Sequence, residues 1–213
     1  MEIINKRFIW QKNIVFSLKQ RDGSYALLQM LEHKGQVAVY RHCRKKDEWE
    51  DVVLSPDDVY FTCYVLRAFT SRSTIIIHKE IKPIKGLKVS ETKINATSLS
   101  EMTLWKGTKD ERTFIACDGK NGIGLHNAGR NEKGEIFDEF KPIDITDYDK
   151  YKDFQMSGLG DYPEFNERVF LCHKYQKFFD PAKELAFNRP LDLDCRTYID
   201  LISGKVLISK LGY

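Results

Sequence analysis

From residue 13 to residue 43 the apolar positions come in short runs closed by turn signals, which is a β pattern. Residues 13–20 (NIVFSLKQ) are rich in β-branched and aromatic side chains. Arg21-Asp22-Gly23 follows, and glycine accepts the positive φ that a tight hairpin turn needs. Residues 24–33 run back, turn at Lys34-Gly35, and residues 36–43 predict a third strand. The apolar residues of this meander partly alternate and partly run together, as in a curled sheet buried mainly on one face. Ser55-Pro56-Asp57-Asp58 predicts a turn or a single helical turn, with serine as N-cap and proline at the first helical position. Residues 59–69 and 73–81 complete about five strands over 8–82, the content of a small, strongly curved barrel.

The second half is patterned less clearly. Residues 83–98 are polar and short of large apolar groups, so they predict a linker or long loop. Residues 99–105 are ambiguous, 111–119 predict a strand, and 120–140 predict hairpins at Asn121-Gly122 and Lys133-Gly134. A helix is expected to begin near Thr146. Residues 167–179 fit strand and helix periods equally, and Asp180-Pro181 opens a short helix over 181–187. Residues 196–209 predict a last hairpin around Ser203-Gly204. The expected fold is α+β, mainly β: an N-terminal curled antiparallel sheet or small barrel over 1–88, and a β-rich unit with one or two short helices over 99–213. The two are free to share one core.

Composition narrows the class. The 213 residues are 42% hydrophobic and 31% charged, with six prolines and thirteen glycines, which is a folding composition. The strongly apolar runs reach about five residues against the ~18 a membrane helix needs, so transmembrane spans are excluded. Five widely spaced cysteines, with no CxxC pair, point to free thiols in a reducing compartment. The opening residues show no signal-peptide pattern, and a cytoplasmic protein is expected. The net charge of +3 does not mark a general nucleic-acid binder. It is unevenly spread: residues 1–90 carry 16 basic and 10 acidic side chains, residues 91–213 carry 18 and 21.

His42-Cys43 and Cys172-His173 are adjacent pairs, which on a strand point to opposite faces and chelate a metal poorly; no cofactor or metal is expected. A Cys–His dyad from Cys172, His173, Cys117 or His126 would need spatial adjacency that spacing alone does not supply. The glycine-rich Asp118–Gly124 stretch lacks the order of a phosphate loop and reads as successive turns. Arg41, Arg44, Lys45 and Lys46, followed by Trp49, combine cations with a ring that can stack a base. The alternative is a solvated hairpin end, favoured because Asp47, Glu48, Glu50 and Asp51 would repel phosphates. Asp138, Glu139, Asp144, Asp147, Asp149 and Asp153 are interleaved with Phe137, Phe140, Tyr148, Tyr151 and Phe154. Acid with tyrosine suits a basic protein partner, and an ordinary solvated face is the alternative.

One resemblance adds to this. The strand of residues 13–20, the Asp22-Gly23-Ser24-Tyr25-Ala26 turn, the apolar returning strand and the later IIIHKEIKP stretch resemble the immunity protein 26 family of bacterial polymorphic-toxin systems. The likeness covers about the first 80–110 residues. It implies a small cytoplasmic protein, without catalytic activity, that binds and neutralises a cognate toxin. The matching residues set a turn and mark no contact site. The sequence is thus compatible with an immunity or binding protein using Asp144, Asp147, Tyr148, Asp149, Tyr151 and Asp153, with a nucleic-acid module using Arg41, Arg44, Lys45, Lys46 and Trp49, and with an enzyme that has an interdomain Cys/His site.

Overall fold

Short apolar runs punctuated by tight turns leave consecutive strands little choice but to pair with one another. The computed structural model describes residues 9–130, 136–206, 211 and 213. Strands β1 (Ile14–Lys19), β2 (Tyr25–Met30), β3 (Gln36–Arg44) and β4 (Val59–Tyr64) form a meander, and β5 (Ile75–His78) joins beside β1. The resulting antiparallel sheet has the order β4-β3-β2-β1-β5. Asp22 closes the first hairpin: its carboxylate accepts from the Ser24 backbone N–H at 3.0 Å, and Gly23 takes φ 84°. β4 and β5 stand at the two edges, so the sheet is open, the curled-sheet form rather than a closed barrel.

This sheet is buried on both faces, not mainly on one. On one side Phe16, Leu28, Val39 and Phe61 pack with Phe69 of helix α1 (Arg67–Arg72) and with Phe165 and Val169 of helix α3 (Glu164–Tyr175). On the other, Val15, Leu27, Ala38 and Tyr40 pack beneath Trp49, Ile81 and Val89 of the loops. Double burial explains why the strands run together in apolar residues instead of alternating. The strand expected over 59–69 stops at Tyr64: Val65 bridges Gly160, and the chain then turns into α1, which sinks Phe69 into the core. Residues 167–179, readable as strand or helix, lie mostly in α3, which ends at Gln176 in a left-handed cap.

A second sheet has the order β6-β7-β8, built from β6 (Thr92–Leu104), β7 (Arg112–Arg130) and β8 (Ile136–Pro142). It reaches well into the stretch expected to be a linker. β6 buries Ile94 yet leaves Leu99 69% exposed, so its sequence reads as polar although it pairs along its length. Asn121-Gly122 does not turn the chain: β7 continues through it, with a register shift opposite Ala96 and Ser98 and Gly122 at φ 140°. The Lys133-Gly134 turn lies outside the described residues. At Gly119 a Cβ would stand 2.2 Å from the Ala186 carbonyl oxygen, so only glycine lets β7 approach helix α4 (Pro181–Ala186) this closely.

The acidic stretch forms a 3₁₀ turn (Ile145–Asp147) and the short helix α2 (Tyr148–Tyr151), as expected near Thr146. The hairpin expected over 196–209 is instead helix α5 (Arg196–Ile202) in its first half. Buried Cys195, Tyr198 and Ile199 share a helical face, which no alternating strand would allow. Residues 207–210 lie outside the described residues.

The chain divides into two compact units, each made of separate stretches. The first comprises Met1–Val89, Leu159–Phe179 and Val206–Tyr213; the second comprises Ser90–Gly158 and Asp180–Lys205. Residues 99–213, expected as one unit, are thus shared between both, because α3 supplies the apolar cover of the N-terminal sheet. The division sharpens the charge asymmetry: the first unit carries 20 basic and 13 acidic residues, the second 14 and 18.

Candidate functional site

In the second unit, residues 144–154 hold their carboxylates outward and their rings inward. Asp144 caps the 3₁₀ turn, accepting from the Thr146 N–H at 2.8 Å and its hydroxyl at 2.7 Å. These hydrogen bonds hold its carboxyl below the usual range, so the group stays anionic. Asp147 pairs with Lys150 at 2.7 Å. Asp149 and Asp153 are exposed, as is Asp144. Tyr148, by contrast, is half-buried. Its hydroxyl donates to Glu184, its ring meets Phe187 edge-on at 5.3 Å, and the Arg189 guanidinium lies 4.0 Å from its centroid. Burial, with the Glu184 carboxylate behind it, pushes the Tyr148 phenol up. Tyr151 stacks edge-on against Phe154 at 6.1 Å. Buried Lys183 clamps the same segment by donating to the carbonyls of Lys152 and of Phe154, the latter at 3.0 Å. The tyrosines therefore anchor the segment and do not offer the free contact area that the sequence suggested. Phe140 and Asp138 sit on β8, and Asp138 Oδ1 lies 2.6 Å from His126 Nε2.

The basic run of the first unit is arranged differently from its sequence expectation. Trp49 is 3% exposed in the core, and its indole N–H donates to Asp47 at 2.6 Å. It cannot stack a base. Arg44 makes a two-pronged contact with Asp51, at 2.7 and 3.1 Å, while Arg41 lies over the Tyr60 ring. Lys45 and Lys46 are exposed, with Lys46 3.9 Å from Glu48. Acidic neighbours thus engage this run from within the same loop.

The cysteine pairings do not assemble. Cys117 and His126 lie on one strand, opposite Leu99 and Lys93 of β6, which six residues of extended chain hold about 20 Å apart. Cys172 is buried and donates to the Phe179 carbonyl at 3.2 Å, whereas the neighbouring His173 ring packs on Tyr60. Burial pushes the thiols of Cys43 and Cys117 up, away from the thiolate a nucleophile needs. Among the described residues no three His, Cys, Asp or Glu side chains converge as a metal site requires.

Two polar groupings in the first unit escaped sequence reasoning. His78 Nε2 lies 3.1 Å from both Ser17 Oγ and Asp47 Oδ1, and its Nδ1 lies 3.0 Å from Glu80. The residue types are those of a catalytic triad, but Ser17 is wholly buried and shares one ring nitrogen with the aspartate. The network joins β1, β5 and the Trp49 loop beneath the sheet. At the sheet's end, Ser24 donates to Gln20 at 3.1 Å, Cys43 lies 3.5 Å from Ser24, and His42 lies 3.5 Å from Asp58. His78 is 61 residues from Ser17, so only knowledge of the β1–β5 pairing could have joined them.

Residues 5–131 match the model of the family described as a domain of unknown function, DUF8309, and the chain belongs to that family. The matched residues cover the first sheet and all of β6 and β7, and they end before Asp144. No curated protein matches the chain, and no solved structure matches it. Among the described residues no helix is long and apolar enough to cross a membrane.

Proposed function

We propose that this member of the DUF8309 family is a binding protein that acts by occupying a basic protein partner, and that its cellular task is to neutralise a cognate bacterial toxin in the cytoplasm. One observation carries the proposal. Asp144, Asp149 and Asp153 project into solvent from a segment whose rings are pinned from behind by Glu184, Phe187 and Lys183. Charges on a fixed backbone lose little conformational freedom on binding, which favours a specific complex. They also steer a cationic partner and raise its rate of encounter. The resemblance of residues 13–82 to immunity protein 26 supports the same task.

The test is protection. Co-expressed with a candidate toxin from a neighbouring gene, the protein is expected to restore growth. The double variant Asp149→Lys, Asp153→Lys, which leaves the Asp144 cap in place, is expected to lose protection while keeping its melting midpoint. Protection by that variant would remove the surface; failure of the unaltered protein to protect would remove the neutralising role.

A further inference from the structure

A strand at the edge of a sheet offers a row of unpaired N–H and C=O groups, and proteins keep such rows from recruiting another chain by short length, charge, proline or cover. Three edges of this chain are protected in those ways. β5 is 4 residues long. At the end of β4 the Tyr64 carbonyl accepts from the Gly160 N–H at 2.7 Å, and the Leu66 N–H donates to the Gly160 carbonyl at 2.8 Å. β8 packs Asp138, Glu139, Lys141 and Pro142 into 7 residues.

The outer edge of β6 has none of these defences along most of its length. It is engaged at Ile94, whose N–H donates to the Gln155 carbonyl at 2.8 Å and whose carbonyl accepts from the Ser157 N–H at 2.6 Å. From Ala96 to Leu104 no backbone group on that side has a backbone partner among the described residues. This stretch, ATSLSEMTL, contains no proline and a single charge, Glu101. Unbroken pairing of Ser98–Leu104 with β7 holds it extended. Thr97, Leu99, Glu101 and Thr103 point to its exposed face, where Ile115 stands across from Glu101. Leu99 and Ile115 are each 69% exposed there.

A bare strand edge is satisfied by an extended backbone. A second copy of the chain brings an identical one. An antiparallel pair that uses all of residues 96–104 on both sides has its two-fold axis at Ser100. That register sets Leu99 opposite Glu101 of the second copy and Thr97 opposite Thr103, so the two Glu101 carboxylates do not face each other. Each copy uses up its own free β6 edge, and association therefore closes at a dimer.

We propose that β6 pairs with β6 of a second copy in this register, joining the two second-unit sheets across a two-fold axis. The contact uses none of residues 144–153, so it is independent of the proposed partner surface. One strand pair makes a small interface, and a dissociation constant of about 1–100 µM is expected.

Sedimentation equilibrium of the full chain under reducing conditions is the test. Leu99→Glu places like charges opposite each other in both symmetry-related pairs, and is expected to weaken the dimer about tenfold or more. Its melting midpoint is expected to stay unchanged, because Leu99 is exposed. Adding Glu101→Lys to that variant converts both pairs to opposite charges, and is expected to restore the dimer to within about threefold of the unaltered protein. A monomer at all concentrations up to about 300 µM, growth beyond a dimer, a dimer indifferent to Leu99→Glu, or failure of Glu101→Lys to rescue it would each overturn the proposal.

Discussion

In the first unit Val15, Phe16 and Leu18 are all at 0% exposure along one strand, whereas in the second Leu99 and Ile115 stand 69% exposed on paired strands. The same secondary structure is therefore used in two ways. A sheet covered on both faces has no solvent to receive its polar groups, so each must find a partner inside. Gln29 does so by accepting from the Tyr40 hydroxyl at 2.6 Å and spanning the Ile84 backbone, and Ser17 does so through His78. A sheet with one open face sends Glu101 and Thr103 to water instead. The difference teaches that in this chain buried polar residues mark covered strands and are weak evidence of catalysis.

The strongest challenge to that contrast is to strip the cover from the first sheet. Phe165 is 2% exposed and meets Phe69 edge-on at 4.8 Å and Phe61 at 6.3 Å. Phe165→Ala is expected to cost about 3–5 kcal/mol, read as a lowered urea midpoint in a Trp105→Phe background that leaves only first-unit tryptophans as reporters. A loss below about 1 kcal/mol would mean that the helix is not essential cover. Gly119→Ala tests the second unit in the same spirit. Its new Cβ collides with the Ala186 carbonyl, and a cost of about 1–3 kcal/mol is expected in the Trp105 signal.

The smallest expected effect is a pH dependence. Burial, with His42 nearby, lowers the His173 imidazole to about 4, so it is neutral in the fold near neutrality. The unfolded chain takes up that proton below an ordinary value of about 6.5, so this stabilising contribution is lost as pH falls from there towards 4. His173→Phe keeps a ring against Tyr60 and is expected to reduce the loss between pH 7 and 4.5 by about 1–2 kcal/mol. Glu167, raised by burial, titrates in the opposite sense, so the comparison with the unaltered protein is the measurement. Identical pH profiles would contradict the burial of His173.

The first sheet was legible because each strand carries its own signal: β-branched runs, Asp22-Gly23, Lys34-Gly35. The second was not, because a half-exposed strand such as β6 offers one buried residue, Ile94, among threonines and serines. α5 was misread for a related reason, since a seven-residue amphipathic segment fits both periods until its neighbours choose a face. The carboxylates at 144–153 were visible in sequence, but the inward turn of Tyr148 was not. It depends on Glu184 and Arg189, some 36 and 41 residues further along.

The interruption of the first unit by the second has a consequence during synthesis. Phe16, Leu28, Val39 and Phe61 leave the ribosome more than a hundred residues before Phe165 and Val169, which close over them. At about 5–20 residues per second, the nascent sheet waits seconds with one greasy side bare. That side is closed to water only once α3 has emerged, so burial of the first sheet is set by the synthesis of the second unit.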